Sequence, residues 1–139
     1  MRTYIFAYGT LRTGGSNHSV AKMNICAKSL GVIEMPGYKM YRVKNNEMGS
    51  SDYPGIVPTG LASDIVVGEV FEIQGEAAAQ TKFISDLDAF ENDADFNEYL
   101  RVEKHILNKQ CYLHEYILPI VGLPLILSGD WVNSKGSTI

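Results

Sequence analysis

The chain has 139 residues, of which 45% are hydrophobic and 20% charged, the profile of an ordinary globular protein of one domain, residues 1–139. Twelve Lys and Arg against sixteen Asp and Glu leave a net charge of −4, which argues against a nucleic-acid footprint or attraction to an anionic membrane and for a small-molecule ligand. The most apolar stretch, Ile117 to Leu127, is broken by Pro119, Gly122 and Pro124 and is too short for a membrane span, which needs about 20 residues; the N-terminal apolar run is too short for a signal peptide. Two cysteines, Cys26 and Cys111, form no CxxC pair and read as reduced thiols of a cytoplasmic protein.

In chain order, residues 2–7 predict a buried strand, followed by Tyr8-Gly9-Thr10-Leu11 and a polar, Gly-rich loop to Ser19. A short helix is expected around Ser19 to Asn24. Ala27 to Val43 reads as two strands broken at Met35-Pro36-Gly37, since Pro-Gly is a turn signal. Asn45 to Ser51 is a polar loop, Pro54 to Pro58 a short extended piece, and Ile65 to Ile73 a strand. Glu76 to Phe90 is rich in helix formers and sets Phe83, Ile84 and Leu87 at helical spacing. Strands are expected again at Tyr99 to Leu107 and Cys111 to Leu118, and the last dozen residues are irregular. Short strands with one main helix predict an α+β domain on a mostly antiparallel sheet or barrel; the absence of βαβ repetition argues against a dinucleotide fold.

Positions 83, 87 and 91 share one helix face, so a helix that reaches Glu91 sets a carboxylate in line with an apolar stripe. Desolvation there raises its pKa and makes it a candidate general base; a helix that stops at Phe90 leaves it in water. The acids around it do not form an EF-hand loop, because counting from Asp93 puts Glu98 at the glycine position and Lys104 at the final glutamate position. The Tyr8–Leu11 turn follows a buried strand and offers backbone N–H groups to an anion or a carbonyl oxygen, or simply ends the strand. No P-loop lysine follows it, Cys111 and His114 lack a second metal-ligand pair, and no Gly-x-Ser-x-Gly nucleophile motif is present. No metal or cofactor is expected.

Taken together, Ala7-Tyr8-Gly9-Thr10-Leu11 with Asn17-His18, Tyr53-Pro54-Gly55, Val67-Gly68-Glu69-Val70-Phe71, Leu87-Asp88-Ala89-Phe90-Glu91, Tyr99-Leu100-Arg101 and Ser128-Gly129-Asp130-Trp131 resemble the gamma-glutamylcyclotransferase-like (AIG2-like) family, the last motif its small bacterial members. The resemblance spans residues 4 to 131 and implies a small mixed, mostly antiparallel β-barrel with flanking helices. It implies that Tyr8, Gly9, Thr10 and Leu11 hold the substrate and that Glu91 is the general acid/base; Tyr99 and Arg101 are further candidate substrate contacts, Arg101 as a second anion contact or simply as a surface residue. Asn92 to Phe96 departs from the Gly or Pro that often follows this glutamate. Some small relatives instead keep a glutamate before the Tyr-x-x-Arg-like stretch, a place that Glu98 holds as the reserve candidate. The implied reaction is intramolecular: the α-amine of a gamma-glutamyl amine or peptide attacks its own amide carbonyl, releasing 5-oxoproline and the free amine. The alternative is a module that binds or interacts through the same pocket without turnover.

Overall fold

A computed structural model describes residues 2–15, 18, 21–43, 52–91 and 98–132, the side chains of residues 90 and 91 excepted. Seven strands and two helices follow one another as β1 (Thr3–Ala7), α1 (Met23–Cys26), β2 (Ala27–Pro36), β3 (Tyr38–Val43), β4 (Tyr53–Pro58), β5 (Ile65–Ile73), α2 (Ala77–Glu91), β6 (Tyr99–Ile106) and β7 (Lys109–Tyr116). The expected loop at 45–51, the start of the expected first helix, Asn17 and the Asn92–Phe96 segment lie outside the described residues.

Five strands form one mixed sheet in the order β2-β5-β1-β7-β6, in which β1 and β7 are parallel and the other neighbours antiparallel. The fold is thus α+β on a mostly antiparallel sheet with few helices, and among the described residues the sheet is not closed, so the expected barrel is not confirmed. Among the described residues the β2 and β6 edges are not hydrogen-bonded to each other, and β3 and β4 make a separate two-stranded piece. The reason lies at Gly37, whose φ of 96° turns the chain sharply between β2 and β3 while Thr59 N–H bonds back to its carbonyl. The β2–β5 pair therefore continues into β3–β4 after a bend, and the smaller sheet folds over the larger one instead of closing it.

Each face of the large sheet has its own core. On one side Phe6, Val66, Val70 and Leu113 meet Tyr38, Met40 and Ile56 of the small sheet. On the other, Ile5, Phe71 and Ile73 meet Phe83, Ile84 and Leu87, the stripe predicted for α2. Strand β1 is covered on both sides, which explains its run of three buried residues from Ile5 to Ala7. The β6–β7 hairpin turns on Leu107 and Asn108, both at positive φ. From residue 118 to 131 the chain has no strand; it lies along β3, with Arg42 N–H on the Pro124 carbonyl and Ile126 N–H on the Met40 carbonyl. The apolar run thus contributes one buried anchor, Ile126, while Ile117, Val121 and Leu127 stay exposed.

Two buried charged residues, Glu69 on β5 and Arg12 in the loop itself, hold the loop after β1 in place. Glu69 is 4% exposed on a central strand, and burial alone would raise its pKa. Its carboxylate accepts the Ser29 hydroxyl at 2.5 Å and the Thr13 N–H and hydroxyl at 2.9 and 2.8 Å, and these bonds with the nearby Arg12 charge leave the pKa below the ordinary value. Arg12, also buried, pairs with Asp130 at 2.7 Å and so ties the same loop to the C-terminal segment. That segment docks on β5 through Val67 N–H to the Gly129 carbonyl at 2.7 Å.

Two measurements check this account. A Cβ on Gly68 would collide with the ring of Phe6, so Gly68→Ala is expected to destabilise by about 1–3 kcal/mol, read as a lower denaturant midpoint at unchanged slope. Because the folded-state pKa of Glu69 is depressed, its contribution is present above the ordinary glutamate range and fades as pH falls through the folded value. Glu69→Gln is accordingly expected to cost about 1.5–3 kcal/mol at pH 7, and the gap from wild type should narrow as unfolding is measured toward pH 3. A gap independent of pH would contradict an ionised Glu69.

Candidate active site

Four segments meet at the carboxyl ends of β1 and β7. The Tyr8–Leu11 turn is closed by Arg12 N–H on the Gly9 carbonyl at 3.1 Å. Its side chains are divided between the two cores, Tyr8 on the small-sheet side and Leu11 under α2. The Tyr8 hydroxyl donates to the His114 carbonyl at 2.7 Å, crossing the seam between the parallel strands. A Cβ on Gly9 would lie 2.6 Å from Pro54 Cγ, so glycine is what lets the turn touch the start of β4. With Tyr8 and Leu11 spent on packing, the turn presents its backbone and the half-buried Thr10.

The Tyr53-Pro54-Gly55 motif is the hub of these contacts. Tyr99, at the start of β6, donates its hydroxyl to the Pro54 carbonyl at 2.7 Å. Gly55 lies against Tyr116 of β7, where a Cβ would approach that ring to 2.7 Å. Tyr99 and Tyr116 meet edge to face with centroids 5.6 Å apart, and Tyr53 stands 6.4 Å from Tyr99. The Tyr53 hydroxyl bonds to both Glu98 carboxylate oxygens, at 2.8 and 2.5 Å. Burial first, then this bond and the adjacent negative charge, hold the Tyr53 phenol well above its usual range, so it remains a donor to Glu98. The reserve glutamate therefore has its carboxylate among the same aromatic residues that back the Tyr8 turn.

Glu91 is the last residue of α2, so the helix does extend past Phe90, as the stripe argument required; its side chain lies outside the described residues. The direction of α2 is fixed at both ends. It starts just after Ile73, which pairs with Thr3 at the beginning of β1, and by Asp88 it has reached His114, near the end of β7. It thus runs in the same sense as β1 and β7. Arg101 is placed on this helix side, 3.0 Å from Asp88 and over the ring of Tyr112 at 4.8 Å, with a guanidinium about one-third exposed. Tyr8, Gly9, Tyr99 and Glu98 are thus joined through Pro54 and Tyr53, whereas Arg101 is linked to them through its strand neighbour His114.

Sequence reasoning met Glu69 and Asp130 only inside family motifs and His114 only as a rejected metal ligand, and it assigned no role to them or to Arg12. Glu69 carried a signal, an acid inside a buried apolar strand, which must find donors. The pairings of the others carried none, because their partners are distant in the chain. Among the described residues no three His, Cys, Asp or Glu gather as a metal site, and no helix is long and apolar enough to cross a membrane. Both cysteines are free; Cys111 is buried and its thiol is pushed up to about 11, which leaves no thiolate for nucleophilic work near neutrality.

Known proteins resemble this chain over nearly its whole length. Its sequence matches the family model described as "Gamma-glutamyl cyclotransferase, AIG2-like" over residues 5–133. The gamma-glutamylcyclotransferase family protein YtfP of Escherichia coli strain K12 is 31% identical over 130 residues, covering 93% of this chain and 96% of YtfP. The solution structure of ytfP from Escherichia coli superposes with a TM-score of 0.63 at 29% identity, covering 97% of this chain and 99% of that one. The crystal structure of PH0828 from Pyrococcus horikoshii shares the fold, with a TM-score of 0.67 at 22% identity over 97% of this chain and 94% of that one. The chain belongs to the gamma-glutamyl cyclotransferase, AIG2-like family.

Proposed function

We propose that the protein is a gamma-glutamyl cyclotransferase, cleaving a gamma-glutamyl amine or peptide by intramolecular attack of the α-amine to give 5-oxoproline and the free amine. The observation that carries this reading is the meeting of the Tyr8 turn, the Tyr53-Pro54-Gly55 hub and the Glu98-Tyr99 strand start at the edge toward which α2 runs, in a chain of this family.

The chemistry asks little of the protein. The substrate brings its own nucleophile, but an α-amine titrates at about 8 and is largely ammonium at neutral pH. A carboxylate that takes this proton and returns one to the departing nitrogen contributes about 10²–10⁴-fold. Glu91 is the base in this proposal and Glu98 the reserve. The N–H groups of the Tyr8–Leu11 turn receive the oxyanion or the substrate carboxylate, Tyr99 backs the pocket, and Arg101 gives a second anion contact while sharing its charge with Asp88. Holding the glutamyl chain folded for ring closure supplies the proximity term.

Incubation with a panel of gamma-glutamyl amides, followed by mass-spectrometric detection of 5-oxoproline, tests both parts. Wild type is expected to form product, and Glu91→Gln to lower turnover by about 10²–10⁴-fold while the protein stays folded. Wild-type rates in Glu91→Gln together with their loss in Glu98→Gln would transfer the base to Glu98. Thermal stabilisation by the panel with no product from wild type would leave a binding module in place of an enzyme.

A further inference from the structure

Asp88 stands one turn before the end of α2 and divides its carboxylate between two strands. Oδ1 is 2.8 Å from Nε2 of His114 on β7, and Oδ2 is 3.0 Å from Nη1 of Arg101 on β6. Those two strand residues are cross-strand partners, so one carboxylate latches the helix to both strands of the hairpin. His114 meanwhile accepts the Tyr8 hydroxyl on its main-chain carbonyl at 2.7 Å. A single residue of β7 therefore holds the helix with its ring and the Tyr8 turn with its backbone.

The rest of the helix seat is of a different kind. Phe83, Ile84 and Leu87 pack on the sheet through non-directional apolar contact, which resists separation far more than it resists sliding. Along the flank toward β7 a cavity of about 300 Å³ separates the helix from the sheet, lined by Thr3, Gln80, Ser85 and Tyr112 among others, with Asp88 and Arg101 also in its wall. Across that cavity the Asp88 carboxylate reaches both strands of the hairpin. Burial lowers the His114 pKa, the Asp88 bond and charge oppose it, and Arg101 adds to the lowering; the neutral ring then donates from Nε2 to Asp88.

The geometry points to Asp88 and His114 as a positioning pair that fixes the last turn of α2, and with it Glu91, relative to the Tyr8 turn. The inference rests on the cyclotransferase reading proposed above. Neither residue handles the substrate in it; both act through Glu91 and Tyr8.

Two variants test it, Asp88→Ala and His114→Phe, with His114→Gln as the conservative one that retains an N–H donor. Amide hydrogen exchange over the last turn of α2 and the Tyr8 turn is measured on each, alongside kcat and KM for 5-oxoproline formation and with Glu91→Gln in parallel. Asp88→Ala and His114→Phe are expected to speed exchange in the last turn about tenfold and to lower kcat by about 10–10²-fold with KM within about twofold, and His114→Gln to recover most of both. Unchanged exchange in both variants overturns the inference, as does a rise in KM at constant kcat. Normal turnover in Glu91→Gln moves the base away from Glu91, and no product from wild type overturns the functional reading; in either case the exchange rates still decide whether the latch holds the helix end.

Discussion

A carboxylate buried in the middle of a sheet must be met by donors, and at Glu69 that requirement organises the chain around the candidate site. The side chain sits on β5 beside Ala7, the last residue of β1. Its donors come from Ser29 on the neighbouring strand and from Thr13, just beyond the Tyr8 turn. The loop that leaves β1 is thus folded back across the sheet by bonds to a charge, which are stronger than those between neutral groups. Arg12 extends the same logic: a buried guanidinium in that loop needs a carboxylate, and Asp130 brings the C-terminal segment to supply one. Two buried charges of opposite sign, close enough for Arg12 to favour the Glu69 carboxylate, tie the loop to β5 and to the C-terminal segment.

Glycine does the complementary work where no polar bond would reach. Gly9 lets the turn lie on Pro54, and Gly55 lets β4 lie on Tyr116. Without these close approaches the small sheet would stand off from β1 and β7, and Tyr99 would lose its acceptor on Pro54. The aromatic residues of the motifs then fill the space that the glycines leave, with Tyr53, Tyr99 and Tyr116 packed as one group around Glu98.

Local patterns in the sequence carried much of this. The strand expected at Ile65 to Ile73 has those ends, and the helix expected from Glu76 to Phe90 is displaced by one residue at each end. The break at Pro36-Gly37 also falls where Pro-Gly implied, yet its consequence did not: a φ of 96° bends the pair of strands over, so the sheet stays open where a barrel was expected. The start of β7 was placed two residues late because Leu107-Asn108 turns at positive φ without the glycine that usually marks such a hairpin. For the site, the Tyr8 turn, Glu98 and Tyr99 were legible as motifs, and the structure adds the Pro54 contacts that join them. The Arg12–Asp130 and Asp88–His114 pairs were not legible, since a contact between residues 118 or 26 positions apart leaves no trace in periodicity or spacing.

The placement of the candidate site follows from the one parallel pair among the described strands. Antiparallel neighbours alternate strand ends along an edge, whereas β1 and β7 bring two carboxyl ends side by side. Chains leaving such ends diverge and open a crevice, the general reason that ligands sit at the carboxyl edge of parallel strands. Here the two strand ends are bridged by the Tyr8 hydroxyl on the His114 carbonyl, flanked on one side by the Tyr53 to Gly55 segment and approached on the other by α2. A reaction whose nucleophile and electrophile belong to one small molecule needs an enclosing shape and a proton carrier more than an array of catalytic groups. In the cyclotransferase reading proposed above, a seam between two strand ends, with the Glu98 carboxylate held beside it by Tyr53 and α2 running toward it, is enough for that.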